Sequence, residues 1–184
     1  QGRYDSITYP QKGFEITDNG LKLSKIGTIK LKLHRQPEGR IKTCTIRKSA
    51  TSKWYICFSC ETLSKPLPKS QDTVGIDVGL TSFATFSNKE KISNPRYFKQ
   101  GEKNLFKVQR KLSKAKKGSH ERKKRRKAVA KVHNRISNRR NNFTHQESRK
   151  IVNKYGIICI EDLSVNKMVH NNCLSKSIYD AAWS

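Results

Sequence analysis

The sequence predicts an α+β chain: a small antiparallel β-barrel followed by an α/β domain built around a basic helical hairpin. Three observations predict it. Residues 14–60 alternate in hydropathy over strand-length segments broken by tight turns. Two apolar runs, 74–80 and 157–160, each present an acid. Between these runs lie helix-period segments dense in lysine and arginine. A length of 184 residues suits one ordinary domain or two small ones. The expected divisions are a barrel over 1–62, a linker over 63–73 and a second domain over 74–184, with the hairpin at about 98–152.

In the first segment, Phe14–Thr17 runs through Asp18-Asn19-Gly20 into Leu21–Leu23, and Asn-Gly between short strands is a strong hairpin signal because its central residues take positive φ. Ile29, Leu31 and Leu33 alternate with Lys30 and Lys32, predicting one buried face and one cationic face. Pro37-Glu38-Gly39 turns the chain, and Ile41–Arg47 and Lys53–Cys60 give two further strands, the second rich in aromatic and β-branched residues. Short strands with tight turns and few helix signals point to the barrel. The stretch Thr62–Asp72, with two prolines among polar residues, is the linker.

In the second segment, Val74–Leu80 is an apolar strand interrupted by Asp77, and Thr81–Ser87 reads as its neighbour. A carboxylate inside a Val/Ile strand must be paired, hydrogen-bonded or metal-bound, because an isolated buried charge is too costly. The flanking Gly75 and Gly79 let a ligand or another backbone approach. Phe98, Leu105, Val108, Leu112 and Ala115 keep one helix face apolar, as do Val129, Val132, Ile136, Phe143 and Ile151; Lys116-Lys117-Gly118-Ser119 turns between them. Ile157–Ile160 after Gly156 predicts a strand buried on both sides, ending in Glu161-Asp162. Ser177-Ile178-Tyr179-Asp180 has the Ser-x-x-Asp pattern of a helix start.

The charge balance selects the partner class. Forty Lys and Arg against fourteen Asp and Glu give a net charge of +26. Such a chain repels itself unless a polyanion neutralises it, and nucleic acid is the default polyanion. Twenty of the forty cations lie between Lys99 and Lys150, against three acids. The block Arg122, Lys123, Lys124, Arg125, Arg126 and Lys127 opens a helix, where the dipole disfavours cations, so phosphate contact is the favoured reading. Lys30, Lys32, Lys116, Lys117, Arg135, Arg139 and Arg140 complete the candidate nucleic-acid contacts. No apolar run is long enough to span a membrane, so no membrane partner is expected, and a cytoplasmic, nucleoid-associated location is. Five cysteines at irregular spacing do not form a secreted disulfide framework. Cys57-x-x-Cys60 lies in a strand, where an offset of three separates the thiols onto opposite faces, so no zinc is expected there. With Gln1 first, Met168 the sole methionine and a helix signal close to Ser184, the sequence reads as an excerpt.

The chemistry follows from topology. A strand–helix–strand crossover makes parallel neighbours. Pairing the two apolar strands brings Asp77 and Glu161 together as candidate catalytic and metal-binding residues. Adjacent carboxylates repel unless a cation lies between them, and hard oxygen ligands on a phosphate substrate favour Mg²⁺ or Mn²⁺.

Val74–Ser87 (VGIDVGLTSFATFS) resembles the first motif of the RuvC-type nuclease of the TnpB/OrfB family of insertion-sequence proteins, relatives of type V CRISPR effectors. Tyr155–Met168 (YGIICIEDLSVNKM) resembles its second motif, and Ser177–Ser184 (SIYDAAWS) the stretch that follows. Phe14–Cys60 is similar to the family's wedge domain, including Glu38-Gly39, Ile41-Lys42 and Lys53-Trp54. The resemblance implies an RNase H-like RuvC domain, here incomplete. It further implies guide RNA and target DNA as partners, and metal-dependent DNA cleavage with Asp77 and Glu161 as two of three acids. Asp162 would cap the following turn. The third acid and a four-cysteine structural zinc ribbon would lie beyond Ser184, leaving this chain inactive by itself. A nuclease-inactive RNA-guided DNA-binding regulator and a DNA transposase are the alternatives.

Overall fold

The computed structural model describes residues 5–67, 70–170 and 174–181. The chain forms two compact units, Gln1–Pro66 and Leu67–Ser184.

The first unit contains β1 (Ser6–Pro10), a short 3-10 helix (Gln11–Gly13), β2 (Phe14–Thr17), β3 (Gly20–Leu23), β4 (Gly27–Ile29), β5 (Arg40–Lys48) and β6 (Trp54–Glu61). Among the described residues these strands do not close the expected barrel. They make two three-stranded antiparallel sheets, ordered β1-β5-β6 and β2-β3-β4. Leu21, Leu23, Cys44 and Ile46 are buried, with Phe14, Ile16, Ile29, Leu31, Ile56 and Phe58 packed on them, so both sheets share one core. Burial pushes the Cys44 thiol pKa up. The expected 29–33 strand ends at Ile29. Leu31 and Leu33 stay half-buried while Lys30 and Lys32 are exposed, so the apolar alternation survives without the ladder that closure requires. The β2–β3 hairpin forms, with Thr17 opposite Gly20. Its turn is Asp18-Asn19, neither of which has positive φ, rather than Asn19-Gly20. Gly20, at φ 140°, opens β3 where a Cβ would overlap the Ile29 carbonyl.

The second unit runs β7 (Thr73–Val78), β8 (Ser82–Phe86), β9 (Lys91–Ser93), α1 (Tyr97–Ser113), α2 (His120–Lys154), β10 (Ile157–Ile160), α3 (Val165–Val169) and α4 (Ser175–Ala181). Its sheet is ordered β10-β7-β8-β9; β10 pairs parallel with β7, and the other neighbours are antiparallel. Val74, Ile76, Phe83, Ala84, Phe86 and Tyr155 form the core, joined by Phe143 and Ile151 of α2. The Phe83 and Phe143 rings meet edge to face at 5.0 Å, a favoured aromatic geometry.

Helix α2 serves two neighbours. Its C-terminal half covers the sheet, and its N-terminal half runs along α1, where Gly101 permits close approach: a Cβ there would lie 2.7 Å from Ile136 Cδ1. Of the hairpin residues named from the sequence, Leu105 and Ile136 are buried, while Phe143 and Ile151 pack on the sheet core instead.

Strand β10 departs from expectation. It is the sheet edge, not a doubly buried strand, and Ile157 and Ile160 are 57% and 72% exposed. A wholly apolar run signals burial with partners on both flanks, and among the described residues β10 pairs only with β7. Gly156 sets its start: its N–H donates to the Asp72 carbonyl, and a Cβ would overlap the backbone of Ser70.

Candidate active site and nucleic-acid interface

The parallel ladder carries the two acids. Ile157, Ile158, Cys159 and Ile160 stand opposite Thr73, Val74, Gly75 and Ile76. The next residue of each strand is an acid: Asp77 within β7, and Glu161 one step past β10. Val74 and Ile76 point into the core, so alternation puts Asp77 on the other side of the sheet, beside Thr85 of β8. Asp77 is exposed, which removes the expectation that its charge is buried inside the strand. Glu161 is exposed as well.

Small residues surround that position. A Cβ on Gly75 would meet only Ser87 Cβ, at 3.7 Å. Asp77 lies beside Thr85 in the strand register and Glu161 follows Ile160, the partner of Ile76, so the two acids lie at adjacent chain positions of neighbouring strands. Two carboxylates supply only part of a hard cation's ligand shell, and among the described residues no group of three or more His, Cys, Asp or Glu forms a metal cluster. Cys57 and Cys60 align with Thr45 and Ile41 respectively and fall on opposite faces of β6. After Glu161 the chain turns through a Leu163 N–H to Glu161 carbonyl bond, and Ser164 holds the N-cap position of α3 without a side-chain cap hydrogen bond.

The basic hairpin sorts the candidate contacts into two groups. Lys116, Lys117, Lys123, Lys124, Arg126, Lys127, Arg135 and Arg139 are exposed. Arg122 is half-buried, and its Nη1 donates to the Leu112 and Ala115 carbonyls at 3.1 and 2.8 Å, closing the end of α1. Arg140 donates to the Tyr179 carbonyl. These two guanidinium groups hold the fold together, a role the charge pattern could not reveal. Arg125 pairs with Glu121 at 2.6 Å, and Arg139 lies over the Tyr97 ring. Ser119 caps α2, accepting from the Arg122 N–H, and Glu121 in the first turn offsets part of the cationic block.

A family model described as "Probable transposase" (OrfB_IS605) matches residues 51–172. The chain belongs to the OrfB family. A relative from Streptomyces pristinaespiralis, named "Putative RNA-guided DNA endonuclease", is 37% identical over 97% of the chain and 45% of its own length. Another from Escherichia coli (strain K12), "Putative RNA-guided DNA endonuclease InsQ", is 30% identical over 91% of the chain and 42% of its own length. This OrfB chain therefore spans less than half the length of either relative.

One side chain of the OrfB chain has a role that sequence reading missed. Ser177 lies inside α4 rather than at its start. Asp180 caps a different helix: it is 7% exposed and accepts from the Phe98 and Lys99 N–H groups at 2.6 and 3.1 Å. The residue before α1, Arg96, is left-handed at φ 49° and provides no side-chain cap, so α1 takes its cap from α4. The missed signal was negative, a helix start at Tyr97 with no Ser, Thr, Asp or Asn beside it. Lys176 pairs with Glu102 and lies over the Phe98 ring, adding a second tie between α4 and α1. No helix among the described residues is long and apolar enough to cross a membrane.

Proposed function

We propose that this chain is part of an RNA-guided DNA endonuclease of a transposable element, carrying two acids of a RuvC-like, metal-dependent site. The observation that carries this reading is the parallel β7–β10 ladder, in which Ile76 and Ile160 are partners and each is followed by an acid. The sheet order, three antiparallel strands with a fourth pairing parallel to the first, supports an RNase H-like domain after a wedge-like first unit. The names of the two relatives support the RNA-guided class, and the exposed cations of α2 suit the backbones of a guide RNA and its DNA target.

In this reading Asp77 and Glu161 hold Mg²⁺ or Mn²⁺. When bound, the metal supplies an activated water and stabilises the departing 3′ oxygen. The chain's own work is positional: β7 and β10 hold the two carboxylates level, and Gly75 keeps the face open. With two acids, this chain alone does not cut. The test is Mg²⁺-dependent cleavage of guide-matched duplex DNA by the longest reading frame that contains this chain. Asp77→Ala and Glu161→Ala are each expected to reduce cleavage by more than the roughly 10–100-fold that losing a residue hydrogen-bonded to a metal ligand costs. Guide RNA binding should stay intact. Cleavage unchanged in either variant overturns the assignment.

The family description favours a second reading, DNA strand joining. The same assay separates the two, because joined products rather than free ends would appear.

A further inference from the structure

The β5–β6 hairpin ends in two consecutive exposed aromatics, Trp54 at 61% and Tyr55 at 46%. Single exposed aromatics are ordinary on protein surfaces. Here each stands opposite a cation in the antiparallel register: Lys48 faces Trp54, and Arg47 faces Tyr55. Alternation sends the two pairs to opposite faces of the hairpin. Lys48 Nζ sits 5.3 Å from the Trp54 ring centre, a cation–π distance.

The tip is held in shape. Ser49 and Thr51 share a hydroxyl hydrogen bond of 2.7 Å, the Ser49 N–H donates to the Lys53 carbonyl at 2.8 Å, and Thr51 is buried. Lys53 adds a third cation beside the aromatics. The face beneath Tyr55 is rich in hydroxyls. Ser6 of β1 aligns with Arg47 and Tyr55, while Thr8 aligns with Thr45, their hydroxyls 3.0 Å apart. The next row is Pro10, Thr43 and Ser59, so the three rows carry no acid.

We propose that this hairpin tip is a stacking site for unpaired nucleotides of RNA. The aromatic rings take the faces of splayed bases, Arg47, Lys48 and Lys53 take the flanking phosphates, and the hydroxyl rows beside Tyr55 meet ribose 2′-hydroxyls, which DNA lacks. The proposal rests on the nucleic-acid reading above and deepens it by naming a site outside the cationic hairpin.

The chain has two tryptophans, Trp54 and Trp183, so Trp183→Phe leaves Trp54 as the sole tryptophan reporter. The experiment titrates that full-chain variant with a short single-stranded RNA and reads Trp54 emission alongside the anisotropy of the labelled oligonucleotide. Quenching is expected to follow the anisotropy curve. Trp54→Ala and Tyr55→Ala should each weaken binding about tenfold while leaving the slope of log K against log[salt] unchanged; Trp54→Phe should restore most of the affinity, and Arg47→Ala should make the slope shallower. The matching DNA oligonucleotide should bind more weakly. RNA binding with no change in Trp54 emission and no effect of either alanine overturns the site and spares the nucleic-acid reading. Equal binding of DNA overturns the choice of RNA. Absence of any RNA binding by anisotropy removes both.

Discussion

At the residue scale, charged side chains in this protein divide into those that hold the fold and those that stand exposed. Asp180 is the clearest of the first kind, a nearly buried carboxylate satisfied by two backbone N–H groups of α1. Asp180→Ala strips the cap and leaves both donors unpaired, so urea unfolding should show a loss of about 1–3 kcal/mol. Asp180→Asn keeps an acceptor and should lose less. Arg122 and Lys123 make a matched contrast, one bonded to the Leu112 and Ala115 carbonyls and the other exposed. Arg122→Ala should lower stability by about 1 kcal/mol, whereas Lys123→Ala should leave unfolding unchanged and weaken nucleic-acid binding. Unfolding and binding titrations on the same two variants separate the roles.

At the element scale, β10 lies beside β7, which puts Glu161 and Asp77 at the ends of partnered segments. Gly156 allows that pairing, because the chain there passes so close to Ser70 that any Cβ overlaps backbone. Backbone cannot yield as a flexible side-chain end can. Gly156→Ala should therefore cost more than about 2 kcal/mol in a denaturant titration, beyond any gain from restricting the unfolded chain. The end of α2 is tied to the β8–β9 turn by Lys154, whose Nζ reaches both Glu90 oxygens at 3.1 and 3.2 Å. Lys154, then Asn88, hold the Glu90 carboxyl below its usual range. Tyr155, then Glu90, hold the Lys154 ammonium above its own. The Glu90 contribution is thus present above the unfolded carboxyl pKa of about 4.3 and disappears as pH falls through the lower folded value. The Lys154 contribution is full below about 10.4 and is lost as pH rises through its higher folded value. Glu90→Gln should flatten the acid limb of stability measured between neutral pH and about pH 3, leaving the plateau near pH 7 little changed because the pair is exposed.

At the scale of the whole molecule, a net charge of +26 dominates. Association with RNA or DNA should weaken steeply with salt, since each neutralised phosphate releases counterions. Removing the four exposed cations Lys123, Lys124, Arg126 and Lys127 together should reduce the slope of log K against log[salt] by roughly 3, if each meets one phosphate. An unchanged slope in a salt titration would take the cationic block out of the interface. The same charge leaves stability largely to two small apolar cores, one for each unit.

The sequence by itself determined local matters. The hairpin at residues 14–23, the helical pair and its apolar seam, the strands carrying Asp77 and Ile157–Ile160, and the family likeness all follow from period, turn chemistry and short motifs. These signals are local because backbone geometry repeats every two or 3.6 residues. Only the tertiary structure decided that the first unit is two sheets rather than a closed barrel, that Asp77 lies on an open face, and that β10 is an edge. It alone showed Asp180 capping a helix more than eighty residues earlier and Arg122 and Arg140 serving carbonyls. Closure, exposure and side-chain partners depend on which distant segments meet, and no repeat in the chain encodes that meeting.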